Sequence, residues 1–507
     1  MKQEQFVAKE CIVSTLQGKL RGYTVGGVSA FLGVPYAKAN RFHPPQSPDG
    51  WEGVRDALSY GYACPTPAKG RPSDETLMPL RFWPTDEHCQ YLNVWTPNVE
   101  GKRPVMFWIH GGAYAAGSSM EHMYYDPRNL CAQGDVVVVS VNHRLNILGY
   151  LDLSPFGSEY ENSANAGNAD LVAALRWVRD NIAAFGGDPE CVTLFGQSGG
   201  GMKISDIMQT PAADHLYHRA VIQSGILPML LPPRKGDGTS IVTAMMRELG
   251  LENVGQLEEI PYEILLEGYQ RTAPALAKEG WYTGGVPMAN SWFQGDPLEH
   301  GFTEYSKTVP TMVGTTFGEF TYTLADPEKY KKTEQELLYG LREKFGNATE
   351  QAVERFRAVW PGRNINDLMA EDAMCRLAAI QYIQEKARVS SAPVYSYLFA
   401  YESPFGGGVP AWHCMEIPFV FRNTHYVARC MEGQVTEKLE DQVSKAWVSF
   451  AKNGSPQHEG LPLWKPCTPQ TETTMVFDRV CQARENFDHA LLAYIQQVAP
   501  QSFPAMG

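Results

Sequence analysis

Residues 192–201 read Val192-Thr193-Leu194-Phe195-Gly196-Gln197-Ser198-Gly199-Gly200-Gly201, a short β-rich run that ends in Gly-x-Ser-x-Gly. Its first four residues are β-branched, aliphatic or aromatic, which suits a strand buried on both faces. The glycines suit a strand-to-helix turn too tight for side chains on either side of the serine. Such a turn lifts the Ser198 hydroxyl clear of a sheet and aims a helix N-terminus at it. The plain alternative is a flexible glycine loop, and the strand directly before the motif argues against it.

Working outward, β-rich runs at 105–110, 136–142, 192–196, 220–223, 309–314, 394–400 and 474–477 alternate with helical stretches. Residues 170–184 carry Leu171, Leu175, Val178 and Ile182 at helical spacing and stop at Phe185-Gly186-Gly187-Asp188-Pro189. Residues 437–452 form a second amphipathic helix closed by Asn453-Gly454. The alternation predicts an α/β fold with a mainly parallel central sheet flanked by helices. No repeat or low-complexity linker divides the 507 residues, so a single catalytic domain over 1–507 is the simplest organisation. The helix-rich stretches at about 229–305 and 325–392 read as insertions capping one end of the sheet.

Charge and composition narrow the function. The chain holds 43 Lys plus Arg against 56 Asp plus Glu, a formal balance of −13. Gripping a phosphate backbone needs a basic face, and no basic run interrupts this acidic chain, so no nucleic-acid partner is expected. No window approaches the ~18 uninterrupted apolar residues of a membrane span. The N-terminus lacks the ~7–15-residue apolar stretch of a secretory signal, which makes cytoplasmic the default expectation. The ten cysteines form no CxxC pair, which speaks against zinc and thioredoxin-like sites and favours mostly buried free thiols.

A serine hydroxyl is barely acidic, so it needs a base, and the base needs an orienting carboxylate. After a nucleophile elbow the chain order is Ser, then Asp or Glu, then His. Following the strand at 309–314, Thr315-Thr316-Phe317-Gly318-Glu319-Phe320 sets Glu319 between glycine and aromatics, where a carboxylate can be held dry; a surface-loop glutamate is the alternative. Following the strand at 394–400, a flexible stretch from Pro404 to Trp412 leads to His413. Of the twelve histidines it is the one in the loop that should neighbour the acid. Acyl transfer also needs backbone N–H donors for an oxyanion. His110-Gly111-Gly112-Ala113-Tyr114, after an early strand, lets the main chain approach a substrate carbonyl closely.

With these features in order, the chain resembles the type-B carboxylesterases, the family of α/β-hydrolase fold that includes cholinesterases and p-nitrobenzyl-esterase-like enzymes. The similarity runs along nearly the whole length. Phe31-Leu32-Gly33-Val34-Pro35-Tyr36-Ala37 resembles the family's FLGIPYA, Arg41-Phe42 its RF, and Tyr91-Leu92-Asn93-Val94-Trp95-Thr96-Pro97 its YLNVWTP. Phe185–Pro189 with 192–196 is similar to FGGDP…VTLFG, and 411–421 to the run around the family's histidine. The resemblance implies Ser198 as nucleophile, Glu319 as acid and His413 as base. It further implies Gly112, Ala113 and Gly199 as oxyanion donors, and Ser224 as a serine supporting the acid. Cys64 and Cys89 fall where many members form a disulfide, although a reducing compartment would leave them as thiols.

The departures from the family pattern cluster near the site. Gln197 and Gly199 replace the Glu and Ala of GESAGG, Ala113 replaces the third oxyanion glycine, Asp170-Leu171 stands for Asp-Gln, and the loop between Tyr36 and Arg41 is short. None removes a catalytic group. Gly199→Ala restores the usual residue and keeps the N–H, so the sequence predicts activity within a few-fold of the parent. The expected function is hydrolysis of small-molecule carboxylic esters through an acyl-enzyme, without metal or organic cofactor. Amide, carbamate or thioester hydrolysis is the nearer rival, and a non-catalytic adhesion homologue the remote one.

Overall fold

Residues 9–67, 81–227, 234–320 and 326–501 are described in the computed structural model. Residue 325 and residues 229–233 of the two helix-rich stretches lie outside them, as do the first eight residues of the chain. Among the described residues, thirteen strands form one sheet. They are β1 (Lys9–Ser14), β2 (Lys19–Val25), β3 (Val28–Pro35), β4 (Val54–Asp56), β5 (Tyr91–Thr96), β6 (Arg103–Ile109) and β7 (Val137–Val141). After them come β8 (Gly187–Gln197), β9 (Arg219–Gln223), β10 (Thr311–Thr316), β11 (Val394–Phe399), β12 (Thr473–Phe477) and β13 (Gln482–Glu485). The spatial order is β1-β2-β3-β5-β7-β6-β8-β9-β10-β11-β12-β13, with β4 beside β2.

The stretch from β7 through β6 and β8 to β12 is parallel throughout. These are the strands that the sequence marks out. The structure adds β1, β2, β3, β5 and β13, each paired antiparallel to a neighbour, and β4, which lies parallel to β2. Successive residues of a strand point to opposite faces, and β6 shows the result. Met106 and Trp108 enter one apolar core, whereas Val105, Phe107 and Ile109 enter the other.

Helices cover both faces. Ala166–Asn181, followed by one tight turn to Phe185, packs on one face through Leu171, Leu175 and Val178, together with Ile204 and Ile207 of Gly199–Met208. Gln434–Asn453 covers the other through Leu439, Val443 and Trp447, and ends at Gly454 with φ +72°. The helix Thr239–Leu249 and most of Tyr262–Lys278 form a separate apolar cluster with Leu145, Leu148 and Leu151. The last helix of the second stretch, Met374–Val389, behaves differently. Its Ala379, Tyr382 and Ile383 join the core under the sheet, so it is a covering helix of the β10–β11 crossover.

No described helix is long and apolar enough to cross a membrane. Cys64 and Cys89 are buried and unbridged. Glu472, Asp488 and His489 converge closely enough to hold a metal. The buried Arg376 guanidinium already spans the two carboxylates, at 2.7 Å from Glu472 and 2.9 Å from Asp488.

Candidate active site

Ser198 stands between β8 and the helix Gly199–Met208 with φ +56° and ψ −124°. This backbone conformation costs a residue with a side chain ~1–3 kcal/mol and is tolerated where surrounding contacts impose it. They do so here. The Ser198 N–H donates to Gln223 O on β9 at 2.8 Å, and the Met202 N–H donates to Ser198 O at 3.0 Å. A Cβ on Gly200 would lie 2.0 Å from Ile109 O at the end of β6, and one on Gly196 2.7 Å from the same oxygen. Only glycine allows the elbow to close this tightly against β6. From Val192 to Thr210 every residue is buried except Ser198.

Glu319 lies three residues past β10 and is fully buried. Its Oε1 accepts the Thr316 N–H at 2.8 Å, and its Oε2 accepts His413 Nδ1–H at 2.5 Å. The two loops are joined through the backbone as well, by Gly318 N–H to Ala411 O at 2.8 Å and His413 N–H to Glu319 O at 2.5 Å. The Phe320 ring packs on the imidazole at 4.4 Å between centroids. Because Nδ1 gives its proton to the carboxylate, Nε2 is the nitrogen left to accept one.

Burial of the ring disfavours the imidazolium, yet Cys414 and Glu319 outweigh it and hold His413 well above its ordinary value. Burial pushes the Cys414 thiol up as well, so Glu319 is the neighbour that supplies negative charge. Two further carboxyls stand close to Glu319. Burial, reinforced by Glu319, pushes both Glu416 and Asp372 up to about 7. Below that pH they stay neutral and leave the pair undisturbed.

The loop after β6 brings Gly111 beside the elbow, where a Cβ would sit 3.5 Å from Ser198 Cβ. Gly112 and Ala113 turn back at φ +92° and +51°. The N–H groups of Gly112, Ala113 and Gly199 make no hydrogen bond among the described residues. The structure thus gathers Ser198, His413, Glu319 and this loop at the C-terminal end of the parallel strands. Ser198 Oγ is not bonded to His413; such contacts are often long until substrate closes them. Ser224 is buried with φ +46°, but its hydroxyl makes no hydrogen bond to Glu319 or any other described residue. Its expected support of the acid has no bond behind it.

The Gly199→Ala expectation needs correction. A Cβ there would lie 2.3 Å from the N and O of Ala113 and 2.4 Å from its Cα. Those atoms are backbone, so the oxyanion loop itself would have to move. Gly199→Ala is now expected to lower kcat by ~10², the scale of a lost oxyanion donor. Adding Ala113→Gly frees position 113 to shift and should recover part of the loss. Steady-state kinetics of both single variants and the double variant check this; a fully active Gly199→Ala enzyme would show that the loop yields freely.

Asp372 carries no sequence signal, and Phe320, Cys414 and Glu416 lie in stretches the sequence singled out without showing what they do there. A tripeptide-scale motif does not reveal which groups a fold packs behind a histidine. Lys203 is similar. It lies fully buried on the helix behind the elbow, its Nζ has no hydrogen-bond partner, and burial pushes it down to about 7 despite Asp206.

A serine elbow on a mainly parallel sheet, with a histidine–carboxylate pair from the ends of later strands, defines an α/β-hydrolase. The Carboxylesterase family matches residues 9–492, and the chain belongs to it, so it is a carboxylic ester hydrolase. It is 33% identical over 480 residues to the para-nitrobenzyl esterase of Bacillus subtilis, covering 92% of this chain and 94% of that one. It is 33% identical over 470 residues to the phenmedipham hydrolase of Pseudarthrobacter oxydans, covering 89% and 92%. Among solved structures, an esterase from Clostridium hathewayi, described as able to hydrolyze aliphatic aromatic polyesters, superposes with a TM-score of 0.95. That pair shares 47% identity over 97% of this chain and 99% of the other. A Geobacillus stearothermophilus carboxylesterase superposes at 0.73 with 33% identity, covering 95% and 99%.

Proposed function

We propose that the enzyme cleaves its esters through an acyl-enzyme on Ser198, with His413 as general base and Glu319 as the carboxylate that orients it. Ser198 Oγ attacks the carbonyl while Nε2 takes its proton, and Glu319 stabilises the imidazolium that forms. The N–H groups of Gly112, Ala113 and Gly199 receive the oxyanion. His413 then returns the proton to the leaving alcohol, and water attacks the acyl-enzyme with the same base. The observation that carries this reading is the buried Glu319–His413 pair, with Nδ1 committed to the carboxylate and Nε2 left to accept.

For substrate, the reading is an ester with apolar, aromatic-bearing groups, as in aliphatic–aromatic diesters. An apolar cluster of Tyr114, Met202, Leu227 and Cys375, with Phe320 and Met374 against it, adjoins both the oxyanion loop and the histidine. A cavity of about 220 Å³ opens beside it, lined by Tyr114, Met202, Leu227, Phe293 and Tyr382 with Asp206 at its polar side. Matched p-nitrophenyl esters and p-nitroanilides, run before steady state, test the mechanism. The esters should give a burst of one nitrophenol per enzyme and the anilides none. Release of soluble aromatic acid from an aliphatic–aromatic polyester film tests the substrate class. Ester turnover that survives in Ser198→Ala would overturn the first reading, faster anilide than ester turnover its ester preference, and a preference for short, polar acyl esters the second.

A further inference from the structure

Asp206 is the polar group of the cavity of about 220 Å³, and its two oxygens are used differently. Oδ2 accepts the Tyr114 hydroxyl at 2.9 Å and Asn168 Nδ2–H at 3.0 Å. Oδ1 bonds to no described residue, although the residue is only 8% exposed. That oxygen keeps some solvent access, which leaves it turned to the cavity that Asp206 lines. Asp296 and Glu299 bring further carboxylates to the wall, and no lysine or arginine stands among its described lining residues. Its histidine, His300, is paired with Glu299 at 3.9 Å.

The cavity runs away from the nucleophile. Tyr114 follows the oxyanion donor Ala113, and Met202 and Asp206 lie one and two turns along the helix from Ser198, ~6 and ~12 Å at 1.5 Å per residue. The longer span suits a benzene ring with a carbonyl at each para position and a contact at either end. Tyr114, Phe293 and Tyr382 offer rings for it to pack on. We propose that the cavity is the subsite for the neutral far end of an aromatic diester, and that Asp206, seconded by Asp296, excludes a free carboxylate from it. The inference rests on the reading of this cavity as the seat of the substrate's aromatic group. Hydrolysis of one ester consumes a water, frees an alcohol and leaves a half-ester with a new carboxylate. To be cut again, the half-ester must turn round and put that carboxylate against Asp206, where like charges in a partly desolvated site repel. The enzyme therefore opens one ester of the diester and releases the half-ester.

The groups around Asp206 decide when it carries charge. Burial pushes its carboxyl up to about 7 against the hydrogen bonds from Asn168 and Tyr114 and the charge of Lys203, and Asp296 adds to the rise. Lys203 stands behind Tyr114, its Nζ 5.9 Å from the ring centroid and sealed from solvent, and burial pushes it down to about 7. Tyr114, Tyr150 and Tyr382 are pushed up by burial and stay neutral. Because Oδ2 already accepts two donors, the proton of a neutral Asp206 sits on Oδ1, where it can be given to an ester carbonyl. Above neutral pH that oxygen is charged and the exclusion of a carboxylate is at its strongest.

The test compares the dimethyl ester of benzene-1,4-dicarboxylic acid with its monomethyl ester, whose free carboxyl, ordinary at ~4, stays ionised from pH 6 to 9. The ratio of their kcat/KM values on one enzyme cancels the titration of His413, which both substrates share. In the parent the ratio should favour the diester by at least ~10-fold at pH 8, the scale of a like charge a few ångströms away, and should fall as pH drops through 7. Asp206→Asn keeps an acceptor for Tyr114 and Asn168; its ratio should be ~10-fold lower at pH 8 and nearly flat with pH. Asp296→Asn should give part of that drop, and Lys203→Met, which removes the opposing charge, should move the step to higher pH. Folding of each variant is checked by circular dichroism, and if Asp206→Asn does not fold, Asp296→Asn and Lys203→Met decide. A parent that cleaves both esters equally, or folded variants that keep the parental ratio and step, would overturn the inference while leaving the substrate reading in place. A dimethyl ester that is not hydrolysed at all would mean that the substrate reading has failed and has taken the subsite with it.

Discussion

Ser198→Ala is expected to lower kcat by ~10⁶, the scale seen when a serine hydrolase loses its nucleophile, while leaving the thermal midpoint where it was. The fold has little to lose. The residue is partly exposed, and the contacts that hold the elbow are its backbone bonds to Gln223 and Met202. Alanine tolerates φ +56° no better and no worse than serine, so backbone strain is unchanged. Loss of the hydroxyl removes the only atom of the elbow that can bond to an acyl group. A fluorescent alkyl phosphonate, followed by peptide mass spectrometry, should modify Ser198 stoichiometrically and no other serine. Ser118, Ser119 and Ser224 lie near the same strand ends but are buried. Turnover surviving in Ser198→Ala, or phosphonate found on another serine, would sink the acyl-enzyme reading.

What the sequence made legible follows from which elements are buried on both faces. The parallel strands β6 to β12 read as short runs of Val, Ile and aromatics because helices cover them on either side. The antiparallel strands lack that signature. β2 buries only Leu20 and Gly22 and leaves its other residues partly or fully exposed. β3 is interrupted at Gly33, where φ is +64° and its register against β5 shifts. The freed Gly33 N–H donates to Asn93 Oδ1 at 2.9 Å, so a buried asparagine sits in β5 where an apolar residue would have advertised a strand. The helix Met374–Val389 was hidden for another reason. Its apolar pattern is weak, with the charged Arg376 and Lys386 among its buried residues, so it does not show which surface the helix meets.

The site divides in the same way. Ser198, Glu319 and His413 could be located because each follows a recognisable strand, and the order of strands sets the order of roles. Close approaches between distant segments carry no such mark. The contact of Gly199 with the Ala113 backbone looked harmless in sequence because substituting one small residue for another is usually mild. A hydrogen bond of 3.1 Å between the Gln197 and Cys414 side chains joins residues 217 positions apart.

Glu319→Gln is expected to cost ~10⁴ in kcat, the scale of the analogous change in a serine protease, and to do so by a route the local bonds dictate. One oxygen of Glu319 accepts the Thr316 N–H and the other accepts His413 Nδ1–H. A glutamine has only one acceptor oxygen. Turned toward Thr316, it presents its NH₂ to Nδ1, which must then be unprotonated, and the ring proton moves to Nε2 where the serine proton has to go. Turned toward His413, it sets two donors face to face at Thr316 inside a buried loop, at a cost of ~1–3 kcal/mol for the unsatisfied group. Both arrangements are bad, and the first keeps the fold. The pH profile should change as well. His413 is raised in the parent, so the parental acid limb lies above the ~6.5 of a free imidazole. Removing the carboxylate that supports the imidazolium should bring that limb down even as the plateau collapses. A Glu319→Gln enzyme with most of its activity would hand the role to another carboxyl, with Asp372 and Glu416 the nearest. One whose low plateau kept the parental limb would mean that Glu319 orients His413 without setting its charge.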